Sequence, residues 1–383
     1  MIVWTVDWRS IGINETGTGL AVFLDHRTEY WKDSGLKLDP VLFQINLPFY
    51  MESEQWWKSH DKDNDLSISS RQSYVANLSL KERNLFAWIR NQINPLIIET
   101  KEDNSLAKNK AKKIHLRSSG INNLAEEKIL CNLANNPILV NIAFQDYLIP
   151  RQSCFAICDV NAALSLFLKN LINIKGIITD EEKFLIIIDP PWENKSVKRR
   201  RNYETAGSTE IIQTFQLLNK ICSLLINRHQ LDIRIVLWTT EKQKSLCLEQ
   251  LLPIIEMKLE ACLLWHKITN SWESSKVRGG REYLLIASPN GAEKPLDGVF
   301  VSKPSAIHSH KPPIGFDFPW LQQSQNNYLE EPERLIINRQ PLYDDRFTQL
   351  RGIELYARYL RPNFLSIGFE CIKLQAYELF AFE

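Results

Sequence analysis

The sequence predicts an α/β protein whose main body is a doubly wound, mostly parallel sheet with helices on both faces. Three observations predict it. The run Phe184-Leu185-Ile186-Ile187-Ile188 is unbroken by polar residues, too short to cross a bilayer and rich in β-branched side chains, as a strand buried on both faces would be. From Arg151 onward, short apolar runs alternate with stretches of helical periodicity, the β-α-β rhythm of a parallel sheet. A chain of 383 residues with 44% hydrophobic content is also long and apolar enough to bury the cores of about two to three domains.

Taken in order, Ile2-Val3-Trp4-Thr5-Val6 and Leu20-Ala21-Val22-Phe23-Leu24 flank the turn-rich Asn14 to Gly19 and read as a hairpin. Trp31, Trp56 and Trp57 have only Lys32 and Lys37 between them and no basic run interleaved, which favours core packing over base stacking. Leu78 to Ile98 carries apolar residues near helical spacing. Glu99 to Arg117 is polar and lysine-rich, with Lys108, Lys110, Lys112, Lys113 and Arg117; it reads as a linker with a solvated face, and phosphate contact is the alternative. Residues 1–145 are therefore expected to form a smaller α+β accessory domain, and residues 146–383 the main one.

In the main domain, Cys154 to Cys158 reads as a strand and Asn161 to Asn170 as a short helix before the central strand Phe184 to Ile188. Ser208 caps a helix running to about Asn227, with Ile211, Ile212, Phe215, Leu218 and Leu225 on one side. Ile233 to Thr240 is a strand, Glu241 to Leu252 a helix, and Ala261 to Ile268 and Glu282 to Ser288 are strands.

The formal net charge of +1 rules out a generally basic coat, so any contact with nucleic acid must come from local patches. Seven cysteines, odd in number and scattered at Cys131, Cys154, Cys158, Cys222, Cys247, Cys262 and Cys371, read as reduced thiols. The start, MIVWTVDWRS, lacks the basic and apolar regions of a secretory signal, and no apolar run is long enough for a bilayer. A soluble intracellular protein without membrane contact is expected. Glycine-rich dinucleotide and triphosphate motifs are missing.

Asp189 falls at the carboxyl end of the central strand, the edge at which open α/β sheets bind ligands. Pro190 and Pro191 stop the ladder there and offer carbonyl acceptors without N–H groups of their own. A carboxylate, a carbonyl and the flat face of Trp192 within four residues suit a planar ring bearing an exocyclic amine. Such an amine is a poor nucleophile because its lone pair is delocalised. Accepting its two N–H bonds at Asp189 and at the Pro190 carbonyl would localise that lone pair, while Trp192 stacks on the ring. The base must then be unstacked or single-stranded.

Asp189-Pro190-Pro191-Trp192, followed by Glu193-Asn194-Lys195-Ser196-Val197-Lys198-Arg199, resembles the signature of the MT-A70 family of adenine-N6 methyltransferases, over roughly Arg151 to Leu374. The resemblance implies a Rossmann-like methyltransferase sheet with permuted element order, in which the catalytic strand precedes the cofactor-binding end. S-adenosylmethionine is then held by dispersed segments, so the missing glycine loop is expected. Cys158-Asp159-Val160 is similar to the segment that contacts the cofactor adenine; a helix N-cap is the alternative. Lys311 resembles the lysine that pairs with the methionine carboxylate. Glu354-Leu355-Tyr356-Ala357-Arg358 resembles a segment placed on a helix reaching the ribose and the methionine end. Gly368-Phe369-Glu370 takes the position of the ribose-gripping segment, with Phe369 where the family has an asparagine. Asp189 is implied at the cofactor amino group as well. The His308-Ser309-His310 pair has no third ligand nearby, so no metal is expected.

The substrate side is marked by charge. Lys195, Lys198, Arg199, Arg200 and Arg201, with Asn194 and Tyr203, follow the tetrad directly and are placed to hold phosphates around an extruded adenosine. A second loop, Ser271 to Arg281, carries Arg278 and Arg281 beside the Gly279-Gly280 pair, which lets it close. The branch of the family that the chain resembles implies an internal 2′-O-methylated adenosine in small nuclear RNA, with adenine in DNA or a catalytically silent RNA-binding role as alternatives. A nuclear protein, active as a monomer, is the corresponding expectation.

Overall fold

The structure, a computed structural model, describes residues 2–7, 18–24, 37–38, 129–142, 144–173, 183–192, 208–267, 282–302, 304, 310–312, 314–315, 318, 321 and 350–381. In chain order these form β1 (Ile2–Asp7), β2 (Thr18–Leu24), β3 (Lys37–Leu38), β4 (Leu130–Asn132), β5 (Ile138–Ile142), β6 (Gln145–Ile149) and β7 (Ser153–Ala156). Helix α1 (Val160–Asn173), β8 (Lys183–Ile188), α2 (Ser208–Asn227) and β9 (Asp232–Thr240) follow. Helix α3 comes in three pieces, Lys244–Leu246, the π-helical Cys247–Leu251 and Leu252–Ile254. The chain continues through β10 (Lys258–Lys267), β11 (Glu282–Ser288), β12 (Leu296–Ser302), β13 (Gly352–Leu355), β14 (Phe364–Ile367) and β15 (Phe380–Ala381).

Eleven strands make one sheet in the order β1-β2-β12-β10-β11-β9-β8-β13-β14-β7-β4. From β9 to β7 every neighbour is parallel; β11 runs the other way between β9 and β10, and β4 is antiparallel to β7. The chain thus has the expected Rossmann-like α/β sheet, in which β8 stands beside β13, a strand read much later. The expected N-terminal hairpin is present as the antiparallel β1–β2 pair, and β2 is hydrogen-bonded parallel to β12.

β8 is a continuous apolar run because both its faces are covered. Phe184, Ile186 and Ile188 pack with Phe167 of α1 and with Phe215, Leu218 and Ile221 of α2. Leu185 and Ile187 join Trp238, Trp265 and Phe300 on the opposite face. The five apolar side chains of β8, Phe184 to Ile188, are essentially inaccessible, and burial at that level stabilises by about 1.5–3 kcal/mol for each large apolar side chain. The β5–β6 hairpin shields a third cluster, in which Tyr147 and Ile149 meet Phe155, Leu360 and Leu374.

Helix α2 and strand β11 take the bounds that periodicity predicts. Other elements differ. Helix α3 starts three residues late, because Gln243 donates its N–H to the Thr240 carbonyl (3.0 Å) and closes a turn first. Glu354-Leu355 lies in strand β13 rather than on a helix: Ile353 and Leu355 are inaccessible on one face and the backbone pairs with β8 and β14. Not every cysteine is a free thiol. Cys131 and Cys154 are opposite one another in the β4–β7 register, with Cα atoms 4.1 Å apart, and are disulfide-bonded.

Candidate active site

Asp189 leaves β8 at its carboxyl end, and its N–H donates to the Leu355 carbonyl of β13 (3.3 Å). After β8 the sheet continues to β9 on one side; after β13 it continues to β14 on the other. Asp189 therefore occupies the switch point of the sheet, where the two diverging crossovers leave a crevice.

The side chains around it form an alternating charge cluster. Lys311 Nζ lies 3.4 Å from Asp189 Oδ1 and 2.5 Å from Glu282 Oε2, and Glu282 Oε1 accepts from Lys267. Glu282 opens β11 and Lys267 closes β10, so the antiparallel register brings them to the same edge. Neither was singled out by the sequence. Lys311 also lies over the Trp238 ring, 5.2 Å from its centroid. Burial pushes the Asp189 carboxyl above its ordinary value, and the opposing pull of Lys311 and Arg358 does not cancel it. Burial acts in the same direction on Glu282, but Lys267 and Lys311 outweigh it and hold that carboxyl well below the usual range. Lys311 is held above the ordinary lysine value: burial lowers it, but Asp189 and Glu282 win.

Trp192 is half-buried and fixed at two points. Its N–H donates to the Pro190 carbonyl (2.8 Å), and its indole Nε1–H to the Trp238 carbonyl (3.1 Å). The Pro190 carbonyl is therefore not the bare acceptor that the sequence suggests. A carbonyl oxygen carries two lone pairs, and one remains.

On the other side of the switch point, the turns after β13 and β14 abut. Tyr356 adopts φ +57°, uncommon for a bulky residue, and Ala357 N–H donates to the Ile367 carbonyl (2.9 Å). Gly368, at φ +146°, approaches so closely that a Cβ would come within 3.2 Å of Tyr356 Cα. The Tyr356 hydroxyl meets Thr214 Oγ1 of α2 at 2.9 Å; burial pushes its pKa to about 12. Glu370, after β14, accepts from Lys373 at 2.6 Å and lies 3.6 Å from Arg358. Asp159, after β7, accepts the Ala162 N–H at 2.9 Å and so caps α1, as the alternative reading of that segment had it.

Asp189, Lys311, Arg358, Glu370 and Asp159 thus stand along one edge of the sheet, with Cys158 and Val160 buried beside them and Phe369 half-buried next to Glu370. Glu354 is placed differently. It faces Arg361 (Nε–Oε2 2.7 Å), whose guanidinium also donates to the Ile314 carbonyl (2.7 Å) and to the Tyr359 hydroxyl. A carboxylate 5% exposed and spent on that pair braces the chain near Lys311. Asn194, Lys195, Lys198, Arg199, Arg200, Arg201 and Tyr203, and likewise Arg278 and Arg281, lie outside the described residues. Among the described residues no group of three or more metal-ligating side chains converges.

Asp189-Pro190-Pro191-Trp192 thus stands at the switch point of the sheet. The profile of the MT-A70 family matches residues 184–370, from β8 to Glu370. Over that stretch, a little under half of its length, the chain is similar to the MT-A70 family. Its curated relatives include N(6)-adenine-specific methyltransferase METTL4 of Mus musculus, 29% identical over 66% of this chain and 49% of that protein. DNA N6-methyl methyltransferase of Caenorhabditis elegans is 27% identical over 74% of this chain and 66% of that one. The chain spans about half the length of the mouse relative. Among solved structures, that of an M1.HpyAVI–SAM complex is similar at 11% identity and a TM-score of 0.30, covering 58% of this chain and 98% of that chain. The MT-A70 match contains every catalytic residue expected from the sequence, and it leaves Cys158 and Asp159 before its start.

Proposed function

We propose that this protein is an S-adenosylmethionine-dependent adenine-N6 methyltransferase of the MT-A70 type. The observation that carries the reading is Asp189, a mostly buried carboxylate fixed at the switch point and followed by a lone-pair-bearing Pro190 carbonyl and an anchored Trp192. The residues fit the cofactor. Carboxylates stand at three of the four strand ends from β8 to β7, Asp189, Glu370 and Asp159, with the cation Arg358 after the fourth, β13, and Lys311 beside Asp189, and Gly368 keeps the β14 turn free of a side chain. That set suits a ligand with an amine, a carboxylate, ribose hydroxyls and an adenine. When bound, S-adenosylmethionine supplies an electrophilic methyl group.

The chain's own part is to prepare the acceptor. Asp189 takes one N–H of the adenine amine, the free lone pair of Pro190 takes the other, and the lone pair on nitrogen becomes available. Trp192, held by Trp238, presents a fixed surface beside the base. Water is kept from this edge by Trp238, Trp265 and Phe300 beneath it. The basic run Lys195 to Arg201, with Asn194 and Tyr203, and the loop bearing Arg278 and Arg281 grip the flanking phosphates.

An internal 2′-O-methylated adenosine in small nuclear RNA is the substrate we favour, methylated in the nucleus by a monomer whose residues 1–145 act as an accessory unit. Adenine in DNA is the second reading, favoured by the name of the nematode relative. Titration with S-adenosylmethionine, followed by mass spectrometry of digested RNA and DNA after incubation, separates the cases. N6-methylated nucleoside in the RNA digest alone supports the first reading, and in the DNA digest alone the second. The absence of both, with cofactor bound, would overturn the enzymatic reading.

A further inference from the structure

We propose that Lys267 is a positioning residue for the Asp189–Lys311 pair, acting through Glu282; the proposal rests on the methyltransferase reading above. Nothing in the sequence marks Lys267, the last residue of β10. Its side chain is nonetheless 11% exposed, its ammonium bonds Glu282 Oε1, and it lies 4.1 Å from the centroid of the Trp265 ring. That ring is itself held by its Nε1–H donating to Ser302 Oγ at the end of β12 (2.7 Å). Lys267 is thus built into the edge rather than waving from it.

The reason lies in how Glu282 is shared. One of its oxygens takes Lys267 and the other Lys311, and Lys311 is divided in turn between Glu282 (2.5 Å) and Asp189 (3.4 Å). Two carboxylates and two ammonium groups alternate, from the ends of β8, β10 and β11 and from the segment after β12. Arg358, from the turn after β13, also faces Asp189; Glu354 of β13 acts on it too but carries its own counter-ion in Arg361. Without Lys267, the whole charge of Glu282 falls on Lys311. The ammonium is drawn toward Glu282, and Asp189 is left less compensated where burial already favours its protonated form. A protonated Asp189 is a poorer acceptor for the amine, so a residue that touches no reacting atom sets the pH range of the one that does.

The test uses the full chain and the variants Lys267→Met, Lys267→Arg, Glu282→Gln and the double variant K267M/E282Q. Lys267→Met is expected to lower kcat about tenfold at neutral pH, with KM for cofactor and oligonucleotide within about twofold, and to move the acid limb of kcat upward by about one pH unit. Lys267→Arg should restore both. The double variant should recover much of the loss, because Glu282→Gln removes the carboxylate that captured Lys311. A second readout needs neither cofactor nor substrate: a stability cycle pairing Lys267→Met with Asp189→Asn, which should be non-additive. An unmoved acid limb, or a double variant worse than Lys267→Met alone, would overturn the proposal. If the wild-type protein transfers no methyl group, the methyltransferase reading fails and the cycle decides the coupling by itself, with additivity overturning it.

Discussion

Replacing Asp189 by asparagine changes one atom and separates what the carboxylate does for chemistry from what it does for stability. Its Oδ1 is 3.4 Å from the Lys311 ammonium, so the asparagine carbonyl would turn toward that cation and leave the NH2 group facing the substrate. The adenine amine then loses a charge-assisted acceptor, about 1.5–3 kcal/mol, and meets a donor instead, leaving a buried N–H unsatisfied at about 1–3 kcal/mol. Together these raise the barrier by about 2.5–6 kcal/mol, roughly a 10²–10⁴-fold loss of rate. Stability should move the other way. Burial raises the folded-state pKa of Asp189 above its unfolded value, so its contribution is present at low pH and lost as pH rises through the raised value. At neutral pH its charge costs stability, and Asp189→Asn should leave the melting temperature unchanged or raise it. Single-turnover methyl transfer at saturating cofactor and oligonucleotide, beside thermal unfolding of the same samples, measures both. A rate within about fivefold of wild type would refute the acceptor role.

The same raised carboxyl predicts that kcat/KM declines on acidification at a pH above the ordinary aspartate value of about 3.9, as protonation removes the acceptor; a pH–rate profile locates that limb. Gly368→Ala forces a side chain onto φ +146° and into Tyr356, and should destabilise by about 1–3 kcal/mol in denaturant unfolding while weakening cofactor binding measured by calorimetry. Arg361→Met leaves the Glu354 carboxylate buried and unpaired; a loss of about 3–5 kcal/mol is expected, partly recovered when Glu354→Gln is added. Neutralising Lys198, Arg199, Arg200 and Arg201 one at a time should flatten the salt dependence of oligonucleotide affinity by about one unit of log–log slope each, read by fluorescence anisotropy, with cofactor affinity unchanged.

What was legible in the sequence follows from how local each signal is. Helix α2 repeats its apolar side over five turns, and β8 and β11 are continuous apolar runs, so their existence and ends are written locally. Strands β13 and β14 are four residues each, too short for a period, and Glu354 breaks the apolar run in the first; only their place between β8 and β7 makes them strands. Asp189 was readable because its chemistry is packed into four consecutive residues. Glu282 and Lys267 were not, because each looks like an ordinary charge flanking an apolar strand. The one hint was that two such charges, opposite in sign, bound consecutive strands that run antiparallel and so end side by side. The Cys131–Cys154 bond was hidden for the same reason: 23 residues of sequence separate two side chains that the β4–β7 register sets face to face.

The permuted order has a consequence for how the molecule is made. β13 and β14 fill the middle of the sheet, yet they are translated after all of its other strands. While the ribosome is still upstream of residue 350, β7 and β8 face each other across a two-strand gap, each with an open row of backbone donors and acceptors. Such inner edges are templates for foreign strands, and closing the gap demands pairing over long sequence distance, the slow kind of step. The nascent chain should therefore depend on holdase chaperones until its last strands emerge. Fragments ending ahead of β13 should aggregate rather than retain part of the activity, because the crevice that would bind the ligand comes into being only with the final insertion.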